Sequence, residues 1–156
     1  MHGGISTGLV AVLAVALAAA AVLDLRSRTI PNVLSLAIAL LAIPFWWASD
    51  LSLWPDVAIR VAIAAAVFAI FAVAYALRMM GGGDVKLVAA VALWLSPAAL
   101  IVLLVLTSIA GGVLTVAMLI RHRLARSERK LEIPYGVAIA FSGLWLISER
   151  FLNQFG

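Results

Sequence analysis

The sequence predicts an all-α membrane protein that crosses the bilayer six times. Hydrophobic residues make up 66% of the 156-residue chain, and charged residues only 12%, whereas a soluble domain is about 45–50% apolar. The apolar residues form runs close to the ~20 residues that cross a bilayer as a helix. The solvent for most of this protein is therefore lipid. A soluble nucleic-acid-binding protein is excluded by this composition, although the net charge is +4.

Four apolar runs are long enough, or nearly so, to be spans. They are Ile5–Leu23, Val33–Ala48, Val57–Leu77 and Leu131–Ile147. No Lys or Arg precedes the first run, so it lacks the basic segment of a signal peptide and is interpreted as a retained span. Pro44 predicts a kink in the second span. Trp46, Trp47 and Trp54 are expected near the membrane interface, while Gly136 and Gly143 predict close helix approach in the last span.

The run Val85–Ile120 is too long for one span, and Trp94–Leu100 (WLSPAAL) interrupts it. Its first part is short enough to be a re-entrant segment, so the placement of charge has to decide. With six spans and the N-terminus outside, nine of the eleven basic residues fall on the cytoplasmic side, as the positive-inside rule expects; these are Arg26, Arg28, Arg78, Lys86, Arg121, Arg123, Arg126, Arg129 and Lys130. A re-entrant segment would place the last five outside. Six spans are therefore predicted, with the loops that follow the first and third spans facing the cytoplasm.

Two aspartates are the candidates for chemistry. The chain has no cysteine, which excludes disulfides, thiolate ligands and a cysteine nucleophile. Its histidines, His2 and His122, are far apart, so no metal site and no cofactor are predicted. Of the seven acids, only Asp24 and Asp84 adjoin apolar spans on the same predicted face. Two carboxylates in a low-dielectric site share a proton, so one can activate water while the other protonates a leaving amine.

Each of these features also has a simpler explanation. Asp84 follows a glycine loop and precedes an apolar helix, which fits an N-cap. Asp24 fits a weak interfacial ion pair with Arg26 or Arg28, although an acid at a helix C-terminus opposes the helix dipole. The loop glycines fit a flexible turn, or clearance for an extended substrate that approaches the backbone; they are Gly81, Gly82 and Gly83.

Three segments carry family motifs. GGGDVK (Gly81–Lys86) contains a G-x-G-D motif, DLRSRTIPN (Asp24–Asn32) places basic residues and Ile-Pro-Asn after an aspartate, and IPYGVAIAFSG (Ile133–Gly143) contains Pro-Tyr-Gly. In order and spacing these segments resemble the type IV prepilin peptidases across nearly the whole chain. The compact form is similar to the short peptidases of tight-adherence (Flp) pilus systems.

The resemblance implies an aspartic endopeptidase of the inner (plasma) membrane, which removes the leader from type IV prepilins or pseudopilins at the cytoplasmic face. Asp24 and Asp84 map onto the family's catalytic aspartates, and the glycine loop is expected to lie along the substrate strand. Substrates of the family usually carry a glutamate after the cut. Lys86 is a candidate for orienting it, although snorkelling or the positive-inside bias is the preferred explanation.

Two neighbouring residues are expected to shape the start of the second span. Pro31 is expected to fix where this helix begins. Asn32 is expected either to hydrogen-bond near Asp24 or to act as an N-cap.

The expected organisation is a single membrane-embedded domain over residues 1–156, without the N-terminal zinc or methyltransferase domain of larger members, and N-methylation is not predicted. The expected partners are a prepilin helix and the bilayer, with no nucleic acid. The basic loop Arg121–Lys130 is explained by contact with anionic lipid or by topology alone. Two alternatives stay open: an archaeal preflagellin peptidase, and a small proton-coupled transporter or scaffold, whose site would usually lie near the membrane midplane.

Overall fold

The computed structural model describes residues 2–124 and 133–155. These residues contain no strand, so the all-α prediction is confirmed. A π-helical turn at Leu53–Val57 precedes the third helix. The described residues form six α-helices: α1 (His2–Ser27), α2 (Asn32–Ala48), α3 (Ala58–Ala76), α4 (Gly82–Ala92), α5 (Pro97–Leu124) and α6 (Tyr135–Phe155).

Helix length separates elements that can cross a bilayer alone from those that cannot. Helices α1 and α5, and the segment Leu53–Ala76 that includes α3, are long and apolar enough to span a membrane. Helix α2 has 17 residues. Helix α4 has 11 residues, which is about 16 Å of helix against ~30 Å of hydrocarbon. The long apolar helices support a membrane location, and six crossings with the N-terminus outside stay a prediction.

Two helix boundaries differ from the predicted spans in ways that affect the site. Helix α1 continues to Ser27, so Asp24 lies inside its last turn rather than beyond its end. The apolar run ends at the first charged residue, but the hydrogen bonds of the helix continue beyond it. The Arg28 amide still donates to the Asp24 carbonyl at 3.0 Å. Helix α6 begins at Tyr135 and runs to Phe155, so the predicted Leu131–Ile147 ends too early; residues 125–132 lie outside the described part of the chain.

Helix α4 is the most enclosed element of the bundle. Helices α2, α3 and α6 all pack against it, while α1 packs on α2 and α6, and α5 on α6. Leu87, Val88 and Val91 are almost completely inaccessible, so these side chains contact other parts of the protein rather than lipid. The end of α4 is tied to α2, because Trp94 Nε1 donates to the Ile38 carbonyl at 2.9 Å and the Trp94 ring stacks on Phe45.

Two glycines of α6 allow it to approach its neighbours closely, as predicted. A Cβ atom built on Gly143 would lie 2.7 Å from Leu17 Cδ1, and one on Gly136 would lie 2.6 Å from Ile30 Cδ1. Real Cβ atoms do not approach other atoms this closely. With a side chain at either position, the contacted Leu17 or Ile30 side chain, or α6 itself, would therefore have to move.

The predicted interfacial tryptophans divide into two groups. Trp47 and Trp54 are exposed, as expected at a membrane interface. Trp46 is only half-buried, and its Nε1 donates to the Leu93 carbonyl at 2.8 Å. Of the basic loop, Arg121 and Arg123 end α5, whereas Arg126, Arg129 and Lys130 lie outside the described residues.

Candidate active site

Asp24 is a buried carboxylate at the last turn of α1. Only 4% of its surface is exposed. The Val137 amide donates to Asp24 Oδ2 at 3.1 Å, and the Gly136 amide and the Arg28 charge also act on this carboxylate. These two amides belong to the first turn of α6, where unpaired N–H groups favour a negative charge. Asp24 is therefore held by another helix, and the simple interfacial ion pair does not account for its position.

Asp84 is the third residue of α4, and it is also buried, with 7% of its surface exposed. The N-cap position of α4 belongs to Gly81, which has extended backbone angles. The prediction that Asp84 is the N-cap is therefore wrong by three residues. Its carboxylate instead reaches back to the Gly81 amide, the arrangement that an acid at the third position makes in a capping box.

The structure brings the two aspartates together, although α2 and α3 separate them along the chain. The Gly136 amide acts on both carboxylates, and the charge of Asp24 acts on Asp84. Both side chains line one pocket of about 150 Å³. The other lining residues come from the α1–α2 loop and the glycine loop, and they are Arg28, Thr29, Ile30, Gly81, Gly82 and Gly83.

The proton affinity of Asp84 is altered by this setting. Asp84 lies outside the three long apolar helices. Burial, and after it the neighbouring Asp24 carboxylate, raise the pKa of Asp84 to about 7, while the Gly81 and Gly136 amides oppose the rise. Near neutral pH the pair can therefore keep one proton, as expected for two carboxylates in a low-dielectric site.

Close packing explains the glycines of the loop before Asp84. A Cβ atom on Gly83 would lie 3.1 Å from the Ile30 Cβ, one on Gly82 would lie 3.2 Å from the Tyr75 ring, and one on Gly81 would lie 3.0 Å from Asp84 Oδ2. The space that side chains at these glycines would need is therefore occupied, on the side facing the protein, by Ile30, Tyr75 and Asp84. A role beside a substrate strand stays a prediction.

Ile30 is a site residue that the sequence did not single out. It is 6% exposed, and it lies against the positions where Gly83 and Gly136 would carry side chains. One side chain thus fills the space between the glycine loop and the start of α6. The signal in the sequence that could have identified Ile30 is its position in the Ile-Pro-Asn motif, directly before Pro31. Pro31 occupies the N-cap position of α2 and so marks where that helix begins, as expected.

Asn32 and Lys86 contact each other. Lys86 Nζ donates to Asn32 Oδ1 at 2.8 Å, linking the starts of α2 and α4. Asn32 is the first residue of α2 and not its N-cap, and no side chain caps that helix. Both expectations for Asn32 are thus corrected, because the amide bonds to neither Asp24 nor the helix end. Lys86 is exposed, and its role stays a prediction.

A lateral groove of about 550 Å³ extends from Lys86 and Asn32 between α2, α3 and α4. Its walls are apolar apart from the Ser35 hydroxyl, which is buried and has no hydrogen-bond partner among the described residues. The remaining lining residues include Leu36, Ala39, Ala64, Ala65, Phe68 and Leu93. The groove therefore starts near the aspartates and runs along the bundle. Within the described part of the chain, no cluster of three or more His, Asp or Glu side chains is placed to hold a metal ion.

The fold and the site define a helical membrane protein with a pair of buried carboxylates in one pocket. The sequence profile of the type IV leader peptidase family matches residues 11–116, which is more than half of the chain. This chain belongs to the type IV leader peptidase family, and the family indicates a peptidase. The matched residues include both aspartates and the glycine loop, whereas Gly136 lies beyond them. In comparisons with curated proteins and with solved structures, the chain has no match.

Proposed function

We propose that this chain is an aspartic endopeptidase of the plasma membrane that removes the leader from type IV prepilins or pseudopilins at the cytoplasmic face. Asp24 and Asp84 are the proposed reacting groups. The observation that carries the proposal is the position of both carboxylates in one pocket, beside the same Gly136 amide. The family assignment supports peptidase activity.

In the proposed reaction, the ionised carboxylate takes a proton from water while the water oxygen bonds to the scissile carbonyl carbon. The protonated carboxyl donates a hydrogen bond to the carbonyl oxygen, on which negative charge develops. When the C–N bond breaks, the leaving nitrogen takes a proton from the pair. The products are a leader with a new carboxylate and a mature chain with a free amine, so the elements of one water are consumed.

The two aspartates are assigned different roles. Asp84 is the proposed acid, because its pKa is raised to about 7 and it can hold a proton at neutral pH. Asp24 is the proposed base. Burial disfavours its anion, whereas the Val137 amide, which donates to Asp24 Oδ2, and the nearby Arg28 charge favour it.

The lateral groove is the proposed site for the apolar helix of the prepilin. It is open on one side and lined by small and apolar residues of α2, α3 and α4. A helix in this groove would place one end beside Lys86, two residues from Asp84. Among the described residues Lys86 contacts an amide and no carboxylate, so its charge is available for an acidic residue near the cleavage junction.

Leader cleavage of a co-expressed prepilin, followed as a gel mobility shift, tests the proposal. Asp24→Asn and Asp84→Asn should each lose at least about 100-fold in rate, the usual contribution of a general acid or base. Asp50→Asn is the matched control, because Asp50 is an exposed acid whose backbone φ of 52° asparagine also tolerates. Asp50→Asn should cleave like the wild type at equal membrane levels.

The possible failures separate the parts of the proposal. Cleavage by both site variants at the wild-type rate would reject the carboxylate pair and favour a proton-coupled transporter or a scaffold. A folded wild type that cleaves no member of a panel of prepilins would reject the substrate assignment. Loss in the Asp50→Asn control as well would show that the measured effect is not specific to the site.

A further inference from the structure

A second cavity lies at the end of the bundle opposite the aspartates. It has a volume of about 400 Å³, and Val10 and Leu13 of α1 contribute to its wall. These residues precede Asp24 on the same helix by 14 and 11 positions, or about 16–21 Å along its axis. Ser49, at the far end of α2, also lines it. This cavity is therefore separate from the site of the proposed peptidase.

Two arginines supply the charge of this cavity. Arg60 comes from α3 and Arg150 from α6, and both line it. Arg60 Nη1 donates to the Trp94 carbonyl at 2.8 Å, and the Arg150 guanidinium lies 5.6 Å from the centre of the Phe45 ring. The two cations act on each other electrostatically. Like charges repel at such sites, so their convergence needs an explanation.

No acid among the described residues is in direct contact with either arginine, although the Asp56 charge acts on Arg60 more strongly than the Arg150 charge does. Among the described residues, no aspartate or glutamate lines the cavity. Asp56 acts on Arg60 from a distance, but its Oδ2 accepts from the amide and the hydroxyl of Ser52 at 3.1 and 2.8 Å. Among the described residues, neither Arg60 nor Arg150 forms an ion pair with a carboxylate.

The remaining polar groups of the cavity also favour an anion. The Ser49 hydroxyl is buried and has no partner among the described residues, so its proton is available to a ligand. Helix α5 begins beside the cavity, which is lined by Ser96, directly before the helix, and by Ala99 of its first turn; the Ala99 amide donates to Ser96 Oγ at 3.3 Å. The start of a helix carries partial positive charge. The rest of the wall is largely apolar and includes Leu51, Leu95, Leu146 and Ile147.

We propose that this cavity binds a phosphate group, held by Arg60, Arg150 and the Ser49 hydroxyl, and that the group is the headgroup phosphate of an anionic phospholipid. Guanidinium groups bind phosphate oxygens through paired hydrogen bonds. The apolar walls suit the glycerol and upper acyl segments, and exposed Trp47 and Trp54 place this end where interfacial aromatic residues are common. The site would anchor the bundle to one leaflet.

Thermal unfolding of the full chain in detergent, followed by tryptophan fluorescence, tests this site. The wild type is unfolded in the presence of phosphatidylglycerol, of phosphatidylcholine or of inorganic phosphate, all at matched ionic strength. Phosphatidylglycerol should raise Tm by on the order of 5 °C more than phosphatidylcholine, because a ligand that binds only the folded state stabilises it. Arg150→Gln should lose most of this difference in Tm between the two lipids, and Ser49→Ala should lose part of it.

Two further variants keep the result interpretable. Arg26→Gln removes an exposed positive charge at the other end, and it should keep the full difference between the two lipids. Arg60→Lys keeps the charge but not the paired donors, so it should reduce the difference even if Arg60→Gln does not fold. An equal loss in Arg26→Gln and Arg150→Gln would overturn the site. A shift produced fully by inorganic phosphate, with no addition by lipid, would overturn the assignment to a headgroup.

Discussion

The two ends of the bundle use charge in opposite ways. At one end, Asp24 and Asp84 are buried beside backbone amides in a pocket of about 150 Å³. At the other, Arg60 and Arg150 line a cavity of about 400 Å³, and no carboxylate of the described residues lies in its wall. The acidic end is closed by close packing, since a side chain on Gly136 would collide with Ile30. The basic end keeps open space around long side chains.

This difference indicates what each end is built to hold. Backbone amides are fixed by the helix that carries them, so they can hold carboxylates in a defined geometry for reaction. Arginine side chains are longer and adapt to a ligand of variable shape. We therefore expect changes at the acidic end to affect rate, and changes at the basic end to affect how lipid stabilises the fold. The following predictions test that separation.

The largest effect on cleavage is expected from a substitution at Gly136, whose backbone amide acts on both carboxylates. The Cβ atom of Gly136→Ala would lie 2.8 Å from Asp24 Oδ2, so the carboxylate must move. A displacement of about 1 Å at a reacting group costs on the order of 100-fold in rate, and a similar loss of cleavage is expected. The measurement is the cleavage rate per folded molecule.

Gly143→Ala is the matched control for this change. A Cβ atom there would lie at a similarly short distance from one side-chain atom, 2.7 Å from Leu17 Cδ1, on the same helix but away from the carboxylates. It should lower stability by ~1–3 kcal/mol, as overpacking does, while each folded molecule cleaves at nearly the wild-type rate. Equal loss of rate per folded molecule in both variants would show that helix spacing, and not the carboxylate position, controls activity.

The next effect is the pH dependence of cleavage. The pKa of Asp84 is raised to about 7, so this acid keeps its proton below that pH and loses it above. When both carboxylates are ionised, no protonated carboxyl is left to donate a hydrogen bond to the carbonyl oxygen as negative charge develops on it. The value of kcat/KM should therefore fall about tenfold per pH unit above pH 7. A rate that is flat from pH 6 to 9 would contradict the assigned role of Asp84.

The same ionisation should appear in thermal stability. The folded pKa of Asp84 lies above the ordinary value of 3.8, so its contribution to the free energy of unfolding is fully present below that value and is lost as pH rises through 7. Asp84→Asn cannot ionise, and its Tm should exceed that of the wild type by several degrees at pH 8, with little difference near pH 4. A constant offset at all pH values would reject this explanation.

A smaller effect is expected for substrate orientation. Lys86→Met removes the charge but keeps much of the side-chain length, and it should raise KM by about twofold to fivefold, the value of an exposed ion pair, with kcat unchanged. The effect should disappear for a prepilin whose acidic residue near the junction is replaced by glutamine. Arg26→Met, an exposed basic position on α1, is the control. If Lys86→Met changes cleavage of both prepilins in the same ratio, Lys86 does not read that acid.

The smallest effect is expected from a substitution at a position that lies between the two ends of the bundle. The Thr107 hydroxyl lies within α5, is buried, and has no partner in the described part of the chain. Thr107→Val replaces it with a methyl group and should stabilise the protein by ~1 kcal/mol, because an unpaired buried hydroxyl is costly. The expected rise in Tm is about 2–4 °C, with cleavage unchanged. A fall in Tm would indicate that this hydroxyl has a partner in the membrane.

Much of the fold was predictable because helix formation is local. Composition indicated lipid as the solvent, apolar runs indicated the helices, and Pro31 stands where α2 begins. The two aspartates were found by elimination, since the sequence offers few other reactive groups. The sequence was less informative about where helices end. The charged residues after Leu23 suggested the end of a span, but α1 continues to Ser27.

The sequence by itself thus indicated the helical membrane class, the order of the helices and the two aspartates that line one pocket. Only the tertiary structure decided that the Gly136 amide acts on both carboxylates, that Lys86 donates to Asn32, and that Arg60 and Arg150 line one cavity. Hydropathy and backbone hydrogen bonding act over a few residues and can be read along the chain. The contacts between helices depend on which small residues allow close approach, and that depends on every helix packed at once.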